Sequence, residues 1–509
     1  MAIAKYFTRA ATAASQVLQR FNSEEFEALL SEEIIGIAFD DDACSDEGQA
    51  SLDMLLRLVA RLYPSVRLMS HGEGGAKLAK RLRTLARSIN ADITFAGSGD
   101  VITRCLVVGL TDPGLDCPTF YLGSDGWLAT FSRSRPLGSG TSSNPFGAGA
   151  ASCIASANLF RAIFSEQLPE AVLDDEVHFS LLDYTQNSSA NPVLPEHVSL
   201  DHPFLLGLGA IGNGTVWALA RVPSISGVLE VVDGEAVDEG NLQRYVLATE
   251  KDVGRSKVDL VSRYLTRRTS LSIGKHESRW QSLAPGSMNE VVVALDTAAD
   301  RIAVQATLPR WSLNSWTQRG DLGVSRHDFE GEMACLACLY LPEGKVPDED
   351  EIIASALGVP EKKMDVIRPM LHSGQPVQEE LVREIAARLR VSVEPLLPLV
   401  GQPLRMFYQR AICGGIVFEL TGGREPVRVE VPMAFQSAMA GLMLAGELVK
   451  RAAGTTAPEW TTAKVNLLRR MPSGPLTERR KKDRLGRCIC QDHDYLDAYR
   501  GRYAIAPAD

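Results

Sequence analysis

The sequence predicts an α/β protein made of two Rossmann-like domains, the first degenerate and the second nucleotide-binding, with a helical insertion in the second. Three observations predict it. Apolar runs of strand length alternate with helical stretches from residue 33 onward. A strand, a glycine turn and a helix follow one another from Pro203. Residues 347–400 then turn charged, helical and poor in strand signals.

In the first half, EIIGIAF (33–39), VRLM (66–69), ADITFAG (91–97) and TRCLVVGL (103–110) read as strands. SLDMLLRLVARLY (51–63) and KLAKRLRTLARSI (77–89) have helical spacing. This alternation favours a largely parallel sheet. No glycine-rich loop follows the first strand, so this half is expected to be a nucleotide-free partner of the second. SRPLGSGTSSNPFG (134–147) reads as a loop. The small-residue helix AGAASCIASANLFRAIF (148–164) is suited to close packing, and a linker runs from about 185 to 200.

In the second half, PFLLGLGAIGNGTVWALARV (203–222) is the strand–turn–helix unit. GVLEVVD (227–233) and EVVVALD (290–296) are further strands, and SKVDLVSRYLTRR (256–268) is a helix. The expected division is a first domain at 1–200, a second at 201–346 and 414–509, and a helical insertion at 347–413. The tail RMPSGPLTERRKKDRLGR (470–487) is expected to be a mobile, solvated arm.

Composition narrows the class. The 509 residues suit two or three domains, and 45% apolar with 23% charged residues is ordinary for a globular chain. A net charge of −10 argues against nucleic acid as a partner, because phosphate contacts need clustered Lys and Arg. No apolar run reaches the roughly 18–20 residues that span a bilayer, so no membrane is expected. The start, MAIAKYFTRAATAASQVLQRF, lacks the uninterrupted apolar stretch of a signal peptide. Nine cysteines, an odd number, point to reduced thiols in a cytoplasm, serving metal binding or catalysis.

Gly207, Gly209 and Gly212 form G-x-G-x-x-G between strand and helix. The first glycine allows a tight turn, the second a close phosphate, the third close helix–strand packing. The helix N-terminus offers N–H groups and partial positive charge to an anion. Asp233 ends the next strand, where a carboxylate can accept hydrogen bonds from ribose hydroxyls. To this point NAD and ATP fit equally.

The segment DGEAVDEGNLQRYVLATEKDVGRSKVDLV (233–261) separates them. An acidic strand end, then Asn-Leu-x-Arg, then Gly-x-x-Lys opening a helix resembles the superfamily of ubiquitin-activating enzymes and the adenylyltransferases of thiamine and molybdopterin sulfur carriers. The resemblance covers roughly residues 203–345 and 425–470. It implies that Asp233 and Glu235 bind ribose, that Asn241, Arg244 and Lys257 face the phosphates of ATP, and that Asp296 holds Mg²⁺. These residue types suit acyl adenylation, where the protein positions reactants and neutralises phosphate charge. Arg301 matches the arginine of the family's Asp-Asn-x-x-x-Arg segment. Tyr245 stands where the family usually has Gln, and Thr297 where it usually has Asn.

Cys335 and Cys338 form C-L-A-C, and Cys488 and Cys490 form C-I-C. Four thiolates can hold a structural Zn²⁺, and the family often has a pair at each place. The second pair is one residue shorter than usual, which leaves His493 as a substitute ligand. By resemblance, the thioester cysteine of ubiquitin-activating enzymes lies between the first zinc pair and the late helix VPMAFQSAMAGLMLAGELVK (431–450), and only Cys413 falls there. The alternative is a small buried cysteine beside Gly414 and Gly415. Cys44, Cys105, Cys117 and Cys153 have no paired spacing, and structural burial is expected for them.

With the NPFGAGAASCIASANLF segment, the chain looks most like the activating enzyme of bacterial ubiquitin-like conjugation (Bil-type) antiphage operons. That resemblance implies adenylation of a ubiquitin-like protein's C-terminal glycine with Mg·ATP, a thioester on Cys413 and transfer to a conjugating enzyme. It also implies paired adenylation units, within one chain or across a homodimer. The competing readings are a sulfur-carrier or small-molecule adenylyltransferase with no enzyme thioester, an NAD-dependent oxidoreductase, and a non-catalytic scaffold.

Overall fold

The computed structural model describes residues 6–504 apart from 20, 285, 319, 342–348, 414–430 and 456–458, with the backbone alone at Glu361 and Cys413. Seven strands make the first sheet: β1 (Ile34–Phe39), β2 (Ser65–Ser70), β3 (Thr94–Phe95), β4 (Arg104–Val108), β5 (Thr119–Asp125), β6 (Leu128–Ser132) and β7 (Glu176–Ser180). Their order is β3-β2-β1-β4-β5-β6-β7. The first five pair parallel, and β6 pairs antiparallel with β5 and β7. Five of the six residues of β1 are buried, as expected of a central strand covered on both faces.

The second sheet holds β8 (Val198–Leu200), β9 (Phe204–Leu206), β10 (Ile225–Val232), β11 (Ser270–His276), β12 (Glu290–Val293), β13 (Trp311–Thr317), β14 (Leu322–Asp328), β15 (Thr462–Val465) and β16 (Thr477–Glu478). Its order is β11-β10-β9-β12-β13-β14-β15-β16. It too is parallel through its fifth strand, β13, and antiparallel beyond. Its strands β9 to β15 repeat the order of the first sheet, with β8 and β16 added. The two Rossmann-like halves therefore have one topology.

Small residues bring the halves together. On the helix Phe146–Ile163, a Cβ on Gly149 would stand 2.7 Å from Leu442 and 2.9 Å from Trp217, both in the second half. Trp217 donates its indole N–H to Asp53 of the helix Asp46–Val59 at 2.7 Å. The same carboxylate pairs with Arg57 and with Arg221 across the junction, each at 2.7 Å. Burial alone would raise the Asp53 pKa, but the two guanidinium groups hold it well below the usual carboxylate range. A second polar knot lies on the helix Ala434–Ala452. Glu447 and Lys450 are 2% exposed and pair with each other. Glu447 also takes Arg326 and the Tyr184 hydroxyl, and the Lys450 ammonium donates to the Leu181 and Leu182 carbonyls of the first half. Buried charges persist only when paired in this way.

The helical insertion, expected at 347–413, has its own apolar core. Ile353, Ile367, Leu371, Val382, Ile385, Leu396 and Phe407 form a cluster separate from that of the two sheets.

Two expectations change. The end of the supposed linker is β8, which pairs with β10. Three residues cannot signal a strand by periodicity; their partner does. The tail 470–487 is docked, not a mobile arm. β16 extends the sheet, Lys481 bridges Met333, and the Lys482 ammonium donates to the Cys490 carbonyl at 2.9 Å. Main-chain pairing at the sheet edge holds a stretch whose side chains alone predict solvent. No helix among the described residues is long and apolar enough to cross a membrane.

Candidate nucleotide and metal sites

The carboxyl ends of β9, β10 and β12 meet at one edge of the second sheet, where open α/β sheets bind ligands. Gly207 follows β9 with a φ of +89°, which only glycine adopts without strain, and its missing Cβ leaves room for the Ala294 carbonyl. A Cβ on Gly212 would stand 2.5 Å from the Gly207 carbonyl oxygen, so this glycine sets the helix against the turn. Gly209 precedes the helix Ala210–Leu219, which has no side-chain cap. Its first-turn N–H groups face the edge of the sheet.

Asp233 closes β10 and organises the turn. Its carboxylate accepts from the Leu208 N–H at 2.8 Å and the Glu235 N–H at 2.9 Å. Burial raises its pKa above the usual carboxylate value against the pull of Lys257 and those two bonds. Lys257, 5% exposed, is 2.5 Å from Glu235 and 3.8 Å from Asp233. Burial pulls its pKa down, while Tyr245, Asp233 and Glu235 push it up and prevail. Glu235 is largely exposed. Asn241 uses its side-chain oxygen to accept the Asp238 N–H at 3.0 Å, bracing the turn Glu239–Gln243.

Arg244 follows that turn. Burial pulls its pKa down to about 10, a value at which it still carries its charge at neutral pH, and its Nη1 is buried with no hydrogen-bond partner among the described residues. An unpaired buried guanidinium nitrogen is expensive unless an anion completes it. The site therefore fits a phosphate by its own chemistry. Asp296 lies exposed at the same edge, beyond β12.

Arg301 does not join the set. It is 7% exposed, donates to the Leu295 carbonyl at 2.5 Å and to Asn314 at 3.1 Å, and lies over the Tyr340 ring at 4.9 Å. It ties the end of β12 to β13.

The first half contributes residues that the sequence did not single out. Arg57 donates to the Val246 carbonyl at 2.7 Å, and Arg61 to those of Tyr245 at 2.7 Å and Ala248 at 2.6 Å. Both arginines sit in SLDMLLRLVARLY, where an i, i+4 pair on an amphipathic helix ordinarily reads as solvated. Arg9, on the helix Phe7–Ser15, lies 3.7 Å from where a Gly240 Cβ would stand, and its charge acts on Arg244.

The four paired cysteines converge. Cys335 and Cys338 bracket the start of the helix Leu336–Tyr340, and Cys488 and Cys490 come from the docked tail. Their sulfurs lie within 4.8 Å of one another, with Cys335–Cys488 at 3.4 Å and Cys338–Cys490 at 3.5 Å. Tetrahedral zinc with bonds of about 2.3 Å needs sulfurs about 3.8 Å apart, so the cluster fits that ion. His493 is outside it. Cys413 ends the turn Gln409–Cys413, and its side chain lies outside the described residues. Cys105 and Cys153 are buried, and burial pushes the pKa of each up, to about 12 for Cys105. Cys44 and Cys117 are half-buried.

Fold and site together define a nucleotide-using α/β enzyme of the adenylyltransferase type. The chain belongs to the ThiF family, within the E1-like adenylyltransferase superfamily, and that family matches residues 195–485. A second family, prokaryotic E2 family C, matches residues 38–165. The chain is 49% identical over 511 residues to the uncharacterized protein y4jF of Sinorhizobium fredii, covering 99% of this chain and 98% of that protein. It is 34% identical over 96 residues to the adenylyltransferase and sulfurtransferase uba4 of Aspergillus niger, covering 19% of this chain and 20% of that one. Among solved structures, Escherichia coli MccB with ATP is similar at 14% identity and a TM-score of 0.32, over 56% of this chain and 65% of that chain.

Proposed function

We propose that the chain activates the C-terminal carboxylate of a ubiquitin-like protein. The observation that carries this reading is the buried Nη1 of Arg244, which has no hydrogen-bond partner among the described residues, in a half that also has an uncapped helix N-terminus after its glycine turn. A carboxylate oxygen of the substrate attacks the α-phosphorus of ATP, the α–β phosphoanhydride bond breaks, and pyrophosphate leaves. Arg244 and Lys257 take up charge on the phosphates, Asp233 and Glu235 hold the ribose, and Asn241 braces the loop that carries Arg244. Arg9 adds positive charge from the first half. Asp296 would hold the magnesium ion that neutralises phosphate charge. The four cysteines would hold a zinc ion that closes the docked tail onto the helix Leu336–Tyr340.

In the second step the Cys413 thiolate attacks the acyl carbon, AMP leaves, and a thioester remains for transfer to a conjugating enzyme. The equivalent halves, packed through the helices Phe146–Ile163 and Ala434–Ala452, favour pairing within one chain. The resemblance extends the reading to a bacterial conjugation system directed against phage.

A second reading concerns the acceptor. The match of residues 38–165 to an E2 family favours transfer within the chain. Of the cysteines in that range, Cys44 is half-buried at the carboxyl end of the β1 unit.

ATP–pyrophosphate exchange tests the first step, and a thiol-reducible adduct tests the second. Cys413→Ala is expected to keep exchange and lose the adduct. An adduct that survives would remove Cys413 from the mechanism. Exchange with no adduct in the unaltered protein would favour an adenylyltransferase without an enzyme thioester. Cys44→Ala separates transfer in cis from transfer to a separate enzyme.

A further inference from the structure

Tyr245 stands inside the nucleotide site with nothing for its hydroxyl to do. The residue is 4% exposed. Its phenolic oxygen is 3.4 Å from where a Cβ on Gly209 would stand, at the residue that opens the helix Ala210–Leu219. No residue among those described hydrogen-bonds that oxygen. Its ring is flanked by two cations, the Arg244 guanidinium 5.7 Å and the Lys257 ammonium 5.4 Å from the centroid. Its backbone is fixed at both ends. The Tyr245 N–H donates to the Asn241 carbonyl at 2.9 Å, and Arg61 of the first half donates to the Tyr245 carbonyl at 2.7 Å.

The ring is buried, but the phenolic oxygen itself reaches open space, where it is free to donate to what enters the site. Here its surroundings are the glycine turn, an uncapped helix N-terminus and two cations. The free N–H groups and the two cations attract an anion, and no carbonyl or carboxylate among the described residues takes the phenol's proton. The missing partner is therefore an acceptor that arrives with the ligand. We propose that the Tyr245 hydroxyl donates a hydrogen bond to a phosphate oxygen of the bound nucleotide. The aromatic ring meanwhile holds Arg244 and Lys257 apart so that both reach the same phosphate group. Arg61, which touches only the backbone, is a positioning residue that sets the phenol's height above Gly209. This assignment rests on the reading of the site as an ATP site.

Tyr245→Phe keeps the ring between the two cations and removes the donor alone. A hydrogen bond to a charged acceptor is worth about 1.5–3 kcal/mol, or roughly 10–150-fold in affinity. The variant is expected to lose about 10–100-fold in ATP affinity, measured by direct titration of the full chain, with an unchanged melting temperature. Adenosine, which has no phosphate, is expected to bind both proteins equally. Equal ATP affinity in the variant and the unaltered protein would overturn the proposal, as would an equal loss for adenosine and ATP. If the unaltered protein binds no ATP, the reading of the site and this assignment fall together; if it binds ATP and Tyr245→Phe binds equally well, only the assignment falls.

Discussion

The two halves share a strand order and differ in what their first loops do. In the second half β9 runs into Gly207, and the helix that follows begins with its N–H groups uncapped. In the first half β1 runs into Asp40, Asp41 and Asp42, whose carboxylates bind N–H groups of the neighbouring loops, and the helix that follows is capped by the Ser45 hydroxyl on the Gly48 N–H at 3.0 Å. Asp40 accepts from Leu110 at 3.1 Å, Asp41 from Gly75 at 3.0 Å, and Asp42 from Ser139 at 2.7 Å. Glu47 accepts from Gly126, at 3.1 Å, and from the backbone and hydroxyl of Ser142. One half leaves its first helix without a side-chain cap, and the other caps its first helix and crowds the turn before it with carboxylates. On the proposed reading one half uses nucleotide and the other braces it, with Arg57 and Arg61 of the bracing half gripping the loop of Arg244.

The sharpest way to break this comparison is to remove one charged group from each half. Arg244→Ala is expected to reduce ATP–pyrophosphate exchange by about 100-fold or more, the usual loss when a preorganised donor to developing charge is deleted. Asp41→Ala in the first half removes one acceptor from a backbone N–H, so it should cost about 1 kcal/mol of stability and leave exchange within about twofold. Equal losses of exchange in both variants would end the division of labour drawn above.

Much of that division is legible in the sequence, because it is written in local signals. EIIGIAF, GVLEVVD and EVVVALD are strands by apolar run length, and Gly207, Gly209 and Gly212 mark a turn by steric need. The absence of such glycines after residue 39 marks the bracing half. Cysteine spacing marks two pairs, though only docking of the tail brings Cys488 and Cys490 to Cys335 and Cys338. What depends on distant partners is not legible. β8 exists because β10 lies beside it, and the basic tail is ordered because a sheet edge accepts it. Arg301 matches a family position yet faces Leu295 and Asn314, and its neighbours decide that. Arg57 and Arg61 look like surface residues until the second half covers them. The equivalence of the two sheets is visible only once strand order is known.

A second contrast lies between the junction and the surface. Asp53→Ala leaves Arg57, Arg221 and the Trp217 N–H without their common acceptor, a half-buried charge group broken on one side. The expected loss is about 1.5–3 kcal/mol, read as a fall in the urea midpoint. Arg383→Ala removes an exposed pair with Glu379 one helical turn away, and should cost no more than about 0.5 kcal/mol. A small effect of Asp53→Ala would mean that the halves are held by apolar packing alone.

The last contrast is in acid, where the site and the junction should separate. Asp53 and Glu447 have folded pKa values below those of the unfolded chain, because their cationic partners outweigh burial. Below about pH 4 the unfolded chain binds more protons than the folded one, so stability rises with pH there. The junction's contribution is complete above that pH and is lost as pH falls through the depressed folded values. Asp233 moves the other way, its pKa raised chiefly by burial. It therefore gains its proton at a higher pH than the junction carboxylates and, on the proposed reading, then presents one acceptor fewer to ribose. ATP affinity should fall first as the solution is acidified, while the denaturation midpoint still holds, and the midpoint should fall only at lower pH. Asp53→Asn should lower the midpoint at pH 7 and flatten its acid limb without moving the acid limb of ATP binding. Coincident acid limbs in the unaltered protein would mean that nucleotide is lost because the halves come apart, which would make the junction part of the site and not its support.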